Sequence, residues 1–226
     1  MNRFPLLIPI IRASHFPQTV AMVALATVSA AIVGTSGWEL VIVALAMLSG
    51  QLSIGWSNDY IDAQLDKNID RRNKPVVAQG LDPAQLRIPI VVALVTVIPL
   101  SFIAAGFVGG IAHLAAVASA WVYNLYLART VWSWAPYAVS FALLPVFIAQ
   151  TASVETWPTI PIVVLFSLVG VVAHILNALP DITIDREAGV GGLAVSLGRP
   201  RSILFAAFLG VPAIIAAVLV LTEWLR

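Results

Sequence analysis

The 226-residue chain carries 60% hydrophobic against 10% charged residues and a mean hydropathy of +0.97, which excludes an ordinary soluble domain and calls for a bilayer. Twelve Lys and Arg against 11 Asp and Glu leave a net charge of +1, with no basic stripe of the kind a nucleic-acid partner needs. With no Cys, disulfides, thiolate zinc sites and iron–sulfur clusters are excluded.

The chain begins with an apolar run, Phe4 to Ile11, that is broken by Pro5 and Pro9 and ends at Arg12. It has no small-residue cleavage pattern, so it reads as an interfacial lead-in rather than a secretion signal. Charge-free stretches follow at 13–38, 40–58, 88–127, 130–154, 156–180 and 202–222. A hydrocarbon core of roughly 30 Å needs about 20 apolar residues in a helix, so five of these are single spans. The third is twice that length and carries Gly106, Gly109 and Gly110 near its middle, which predicts a tight helical hairpin. Seven spans result, at approximately 17–36, 38–57, 88–106, 110–128, 134–152, 157–178 and 202–222, in one membrane domain covering 1–226. With the N-terminus inside, 11 of the 12 basic residues fall on the cytoplasmic side and only Arg226 lies opposite, as the positive-inside rule requires. The expectation is therefore an all-α, multi-pass transmembrane bundle in the cell membrane.

Acidic residues concentrate at the inner ends of two spans. The first cluster is Asn58-Asp59-Tyr60-Ile61-Asp62-Ala63-Gln64-Leu65-Asp66, with Asp70 beyond; the second is Asn177-Ala178-Leu179-Pro180-Asp181-Ile182-Thr183-Ile184-Asp185. On a helix, Asn58, Asp59, Asp62, Asp66 and Asp70 fall within an arc of about 120°, and Asn177, Asp181 and Asp185 within about 80°. The echo between the two halves looks like an internal repeat that sets two acidic faces across a cavity. Carboxylates crowded to about 4 to 6 Å repel by a few kcal/mol, so cations are expected among them. Hard oxygen ligands without Cys or paired His suit Mg²⁺, with Mn²⁺ as an alternative, and Mg²⁺ fills its remaining positions with water and substrate phosphate. Arg71, Arg72 and Lys74 after the first cluster, and Arg186, Arg199 and Arg201 after the second, fit a phosphate-bearing ligand, although they also satisfy the positive-inside rule. A diphosphate head at the mouth and an apolar body among the helices, as in an isoprenyl diphosphate, uses all of these features.

These motifs resemble those of the UbiA superfamily of intramembrane prenyltransferases. Asn58 to Asp66 matches the pattern NDxxDxxxD at every fixed position, and Arg71-Arg72-Asn73-Lys74-Pro75 through Gly80 resembles the basic loop that follows it. Asp181 to Gly189, with Leu193 to Gly198 behind it, resembles the second motif, DxxxD, and its loop; Tyr123-Asn124 with Arg129-Thr130 resembles the end of the fourth span. The resemblance implies an isoprenoid-synthase-like arrangement around a central cavity. It further implies that Asn58, Asp59, Asp62, Asp66, Asn177, Asp181 and Asp185 hold Mg²⁺ against a prenyl diphosphate. Asn58, Arg71, Arg72, Lys74, Asn124, Arg129, Asn177 and Arg186 would contact the diphosphate; Asp62, Asp66, Asp181, Asp185 and Tyr123 would act in catalysis. An allylic carbocation would be captured by an aromatic, quinone-precursor or other lipid-soluble acceptor, or by the substrate's own double bond in a terpene cyclase. Tyr60, Tyr123, Tyr126 and Trp121 are the aromatic faces available to such a cation, and also candidates for interfacial anchors.

Three departures from the family stand out. The family usually has nine spans and only one follows the second motif here, which implies a portal open to lipid or closed by another subunit, a homo-oligomer among the options. Pro180 removes a backbone donor beside Asp181. Ala128 replaces a Lys common before the Arg at the end of the fourth span. Within the spans, His174 shares the arc of Asn177 and Asp181 and is a candidate pocket residue, His113 reads as a packed neutral side chain, and His15 as interfacial. Ion or small-molecule transport is the main rival function, but it predicts mid-membrane carboxylates, and there are none. A non-catalytic scaffold is a third reading, against which both metal motifs are intact. Transfer is favoured over cyclisation on family proportions alone.

Overall fold

A computed structural model describes residues 6–152 and 156–224. Arg3 and Arg226, which enter the charge asymmetry, lie outside the described residues. The described chain is helical without strands: α1 (Leu7–Ala13), α2 (Phe16–Ile32), α3 (Trp38–Asn68), α4 (Pro75–Ala78), α5 (Arg87–Val122), α6 (Ala135–Ala149), α7 (Ile160–Ala178), α8 (Ile182–Glu187), α9 (Leu193–Leu197) and α10 (Arg199–Trp224). A 3₁₀ turn, Pro83–Leu86, leads into α5, and a π-helical turn, Tyr123–Leu127, ends it.

α5 is two antiparallel limbs. Ala105 (φ −141°, ψ 21°) and Gly106 (φ 61°, ψ −162°) leave helical geometry, and Gly106 takes a conformation that only glycine adopts without strain. Ser101 Oγ lies 2.8 Å from His113 Nδ1, whereas twelve residues along a straight helix would separate them by about 18 Å. The predicted hairpin is therefore present. His113 is buried and stacks on Phe147 at 4.5 Å, a packed side chain as expected.

The long helices pack in chain order, with the short helices set aside: α2 on α3, α3 on α5, α5 on α6, α6 on α7 and α7 on α10, with α2 also touching α6. Phe147, Val43, Ala46, Ala26 and Ala30, all fully buried, form the central core. The outer surface is apolar, with Ile88, Phe107, Leu204 and Phe208 each at least 70% exposed, as lipid rather than water permits.

By length and hydropathy, Trp38–Asn68, Pro83–Leu127 and Ile160–Ala178 qualify as membrane-crossing helices, and the α1–α2 pair, bent by 60°, makes a fourth if taken together. This falls short of the seven expected. α6, at 15 residues, spans about 22 Å, below the thickness of a hydrocarbon core, and the two limbs of α5 qualify only as one unit. α3, by contrast, runs about 46 Å and carries the first acidic motif on its extension beyond residue 57.

Candidate active site

Backbone capping places the acidic motifs. α3 ends where Asp70 turns left-handed (φ 48°), the Arg71 N–H donating to the Asp66 carbonyl at 2.9 Å and the Asp70 N–H to Lys67 at 3.3 Å. This is a Schellman cap, with an Asp in the place glycine usually takes. α8 ends identically: Gly189 is left-handed (φ 70°), Val190 donates to the Asp185 carbonyl at 2.8 Å and Gly189 to Arg186 at 3.1 Å. Asp66 and Asp185, the last carboxylates of the two motifs, thus occupy equivalent cap positions.

The arcs drawn from ideal helices require two corrections. Asp70 leaves the first arc at the cap and pairs instead with Arg72 at 2.7 Å, both side chains exposed. In the second motif Leu179 and Pro180 end α7, so Asn177 lies on the last turn of α7 while Asp181 starts α8 and Asp185 sits within it. The missing Pro180 donor is the physical cause.

Side chains nevertheless bring the motifs together. The Arg71 guanidinium pairs with Asp185 through Nη2, and its Nη1 stands 3.3 Å from Asp66 Oδ1. Arg129 donates to Asp62 at 2.5 Å, and Asn58 donates to Asp62 at 3.2 Å and to Asn124 at 3.3 Å. Asn124, buried in the π-helical turn, donates to the Ile54 carbonyl at 2.9 Å and to Ser57 Oγ at 2.8 Å, tying the end of α5 to α3. Gly191 accommodates the close approach of the loop after α8 to the Arg129 carbonyl, where any side chain would collide. Burial raises the Asp185 carboxyl above its ordinary range, and the charge of Arg71 opposes this.

Among the described residues, no group of three or more His, Cys, Asp or Glu side chains is placed to hold a metal ion. Basic side chains stand against the carboxylates instead: Arg71 at Asp66 and Asp185, Arg129 at Asp62, Lys74 at Asp59. The donors still fit a hard cation. Asp66 is fully buried, and neither of its oxygens accepts a hydrogen bond; Asp59 Oδ2 is likewise without a partner. Arg71 and Lys74 bring charge to these two carboxylates, but buried oxygens that accept no hydrogen bond are costly, and a bound cation would serve them directly.

Of the other predicted residues, Tyr123 meets Tyr137 edge-on at 5.2 Å and His174 edge-on at 5.8 Å. Arg186 donates to the Val195 carbonyl at 2.9 Å and so secures the following loop, and Asn177 is exposed. Tyr60 is engaged by Arg87, Tyr126 is 71% exposed and Trp121 packs with Leu86 and Ile90, whereas Tyr123 immediately precedes Asn124, which accepts from Asn58 of the first motif. His174 is buried 2.9 Å from Ser133 Oγ and 4.8 Å from the Tyr137 ring, behind Tyr123.

Sequence reasoning missed two residues. Tyr137 joins the aromatic group from α6 without any motif to signal it. His15, read as interfacial, has Nε2 at 3.1 Å from Asp59 Oδ1 and 3.2 Å from Lys74 Nζ. Its signal was faint: a histidine two residues before a Pro in the first turn of a helix.

Solved structures share this fold. A UbiA homolog from Archaeoglobus fulgidus bound to GPP and Mg²⁺ superposes with a TM-score of 0.78 at 17% identity, covering 95% of this chain and 78% of that one. The same homolog bound to DMAPP and Mg²⁺ gives 0.76 at 18% identity, covering 92% and 75%. A structure of digeranylgeranylglyceryl phosphate synthase gives 0.66 at 16% identity, covering 94% and 76%. No curated protein matches in sequence. A model of the UbiA prenyltransferase family matches residues 19–226, nearly the whole length, and the chain therefore belongs to that family.

Proposed function

We propose that the protein is a Mg²⁺-dependent prenyltransferase that moves an isoprenyl group from a prenyl diphosphate to a lipid-soluble acceptor, aromatic or quinone-precursor in type. The observation that carries this reading is Arg71, whose single guanidinium meets Asp66 of the first motif and Asp185 of the second. Two motifs that share one cation can share one polyanion with its counter-ions. The A. fulgidus homolog of the same fold was solved with prenyl diphosphates and Mg²⁺, which supports the ligand class.

Asp62, Asp66, Asp181 and Asp185, with Asn58 and Asn177 as neutral oxygen donors and Asp59 beside them, would hold Mg²⁺ or Mn²⁺. When bound, the metal supplies Lewis-acid neutralisation of charge on the leaving diphosphate. The chain's own contribution is positional and electrostatic. Arg71, Lys74 and Arg129 line the carboxylates; Arg71 and Arg129 would offer N–H donors to diphosphate oxygens in forked geometry, and Lys74 would add its charge. Asn124 holds the end of α5 on α3, so that Tyr123 presents its ring beside the site, where a cationic allyl group would be stabilised. In the reaction the allylic C–O bond breaks and its electron pair leaves on diphosphate. A nucleophilic carbon of the acceptor then bonds to the allylic carbon and loses a proton. The lipid-facing apolar surface supports a single membrane domain of seven crossings, the two limbs of α5 counting separately, with the motif end and the N-terminus on the cytoplasmic side and membrane lipid as its surroundings.

The test is incubation of the purified protein with Mg²⁺ and geranylgeranyl diphosphate, with and without a membrane-lipid extract as the source of acceptor. Diphosphate release that depends on the extract, with a prenylated product by mass spectrometry, is expected. A cyclic hydrocarbon or alcohol formed without extract would overturn transfer in favour of cyclisation.

A further inference from the structure

The corner between α1 and α2 is built with unusual care for a segment leading into a membrane span. Ala13 and Ser14 are buried, and Thr19 donates to the Ser14 carbonyl at 2.8 Å. Trp56 Nε1 donates to the Ile10 carbonyl at 2.9 Å. On α3, one turn before Asp59, the Gly55 position lies so close to the Ser14 backbone that an added Cβ would come within 2.5 Å of the Ser14 carbonyl oxygen. His15 follows in a left-handed conformation (φ 53°, ψ 51°), uncommon outside glycine and an energetic cost that the clamped corner sustains.

The product of this construction is one contact. His15 Nε2 reaches Asp59 Oδ1 at 3.1 Å and Lys74 Nζ at 3.2 Å. Lys74 also donates to Asp59 Oδ1 at 2.6 Å and to Asn58 Oδ1 at 2.9 Å, so its three N–H groups have three acceptors when the imidazole is one of them. In the other tautomer Nε2 donates to Asp59. Either way the imidazole fixes a pair whose carboxylate is fully buried and whose ammonium is 13% exposed.

We infer that His15 is a positioning residue, holding Asp59 and Lys74 in register so that the charge of Lys74, its N–H groups being engaged, faces a diphosphate; this rests on the function proposed above. Three forms of the full-length protein in detergent test it: wild type, His15→Asn and His15→Gln. Asn tolerates the left-handed backbone but its amide falls short of the Nε2 position, whereas Gln reaches it and can either donate or accept. The readouts are the acetylation rate of Lys74 by peptide mass spectrometry, the Kd for geranyl diphosphate with Mg²⁺, and the Tm. In His15→Asn, Lys74 acetylation and the Kd each rise about fivefold, the factor one hydrogen bond of ordinary net worth commands, while Tm is held. In His15→Gln both return to within about twofold of wild type. Equal Lys74 reactivity in wild type and His15→Asn, or a rise that Gln leaves unrestored, would overturn the inference. A response in acetylation with no geranyl diphosphate binding by any of the three proteins would overturn the proposed function and the purpose of the contact with it. Altered acetylation with an unaltered Kd in His15→Asn would overturn the positioning alone.

Discussion

Arg71→Ala isolates the group that joins the two motifs. The guanidinium is 11% exposed and stands against Asp66, which is fully buried, and Asp185, which is 17% exposed. Removing one partner of a buried ion pair costs about 3–5 kcal/mol, because a charge is left uncompensated. The lower end applies, since Asp185 retains access to water, so about 3 kcal/mol is expected; at about 2–4 °C per kcal/mol for a chain of this length, Tm falls by about 6–12 °C. Added Mg²⁺ should then rescue the variant. A cation that binds only the folded state, at a hundredfold excess over its Kd, contributes about 2.7 kcal/mol, nearly the whole loss. Wild type gains less, because its carboxylates already face Arg71. The assay is thermal unfolding of both proteins in detergent, followed by tryptophan emission, with Mg²⁺ titrated and Na⁺ at matched ionic strength as control. A variant that melts with wild type would refute the reading of Arg71 as the junction charge. A destabilised variant indifferent to Mg²⁺ would refute the fit of these carboxylates to a divalent cation.

Asp62→Ala and Asp181→Ala should each abolish diphosphate release from a prenyl diphosphate; Asp181→Ala should leave Tm close to wild type, while Asp62→Ala, which also releases Arg129 and Asn58, should lower it slightly, and full activity in either would contradict the site. Gly106→Ala should lower stability by about 1–3 kcal/mol, measured by the same melt, although no atom lies within 4 Å of the added methyl, because the cost is entirely backbone conformation at φ 61°. An unchanged melt would mean that the α5 reversal does not use this geometry.

Periodicity and charge make the acidic motifs legible in the sequence, but ideal helices misplace their ends. The arcs assume that α3 continues through Asp70 and that α7 continues through Asp185; a left-handed residue stops the first and Pro180 the second. What survives is deeper than the arcs. The echo Asn-x-x-x-Asp-x-x-x-Asp aligns Asp66 with Asp185, and both prove to be the residue whose carbonyl closes a Schellman cap. That cap turns the chain back beside the last carboxylate of each motif. In the first it delivers Arg71 onto Asp66 and across to Asp185; in the second it delivers Val190, apolar and without charge, and the loop continues to Gly191 against Arg129. The repeat is therefore symmetric in backbone and asymmetric in charge, and one arginine is enough to bridge it. His15 and Tyr137 were illegible for a different reason: each reaches the site from a helix corner or helix that carries no acidic motif, through packing of small residues such as Gly55 and Gly170 that a single sequence marks only as glycines. Long-range contacts of this kind leave no periodic trace, because the residues that make them are chosen by the neighbouring helix and not by their own.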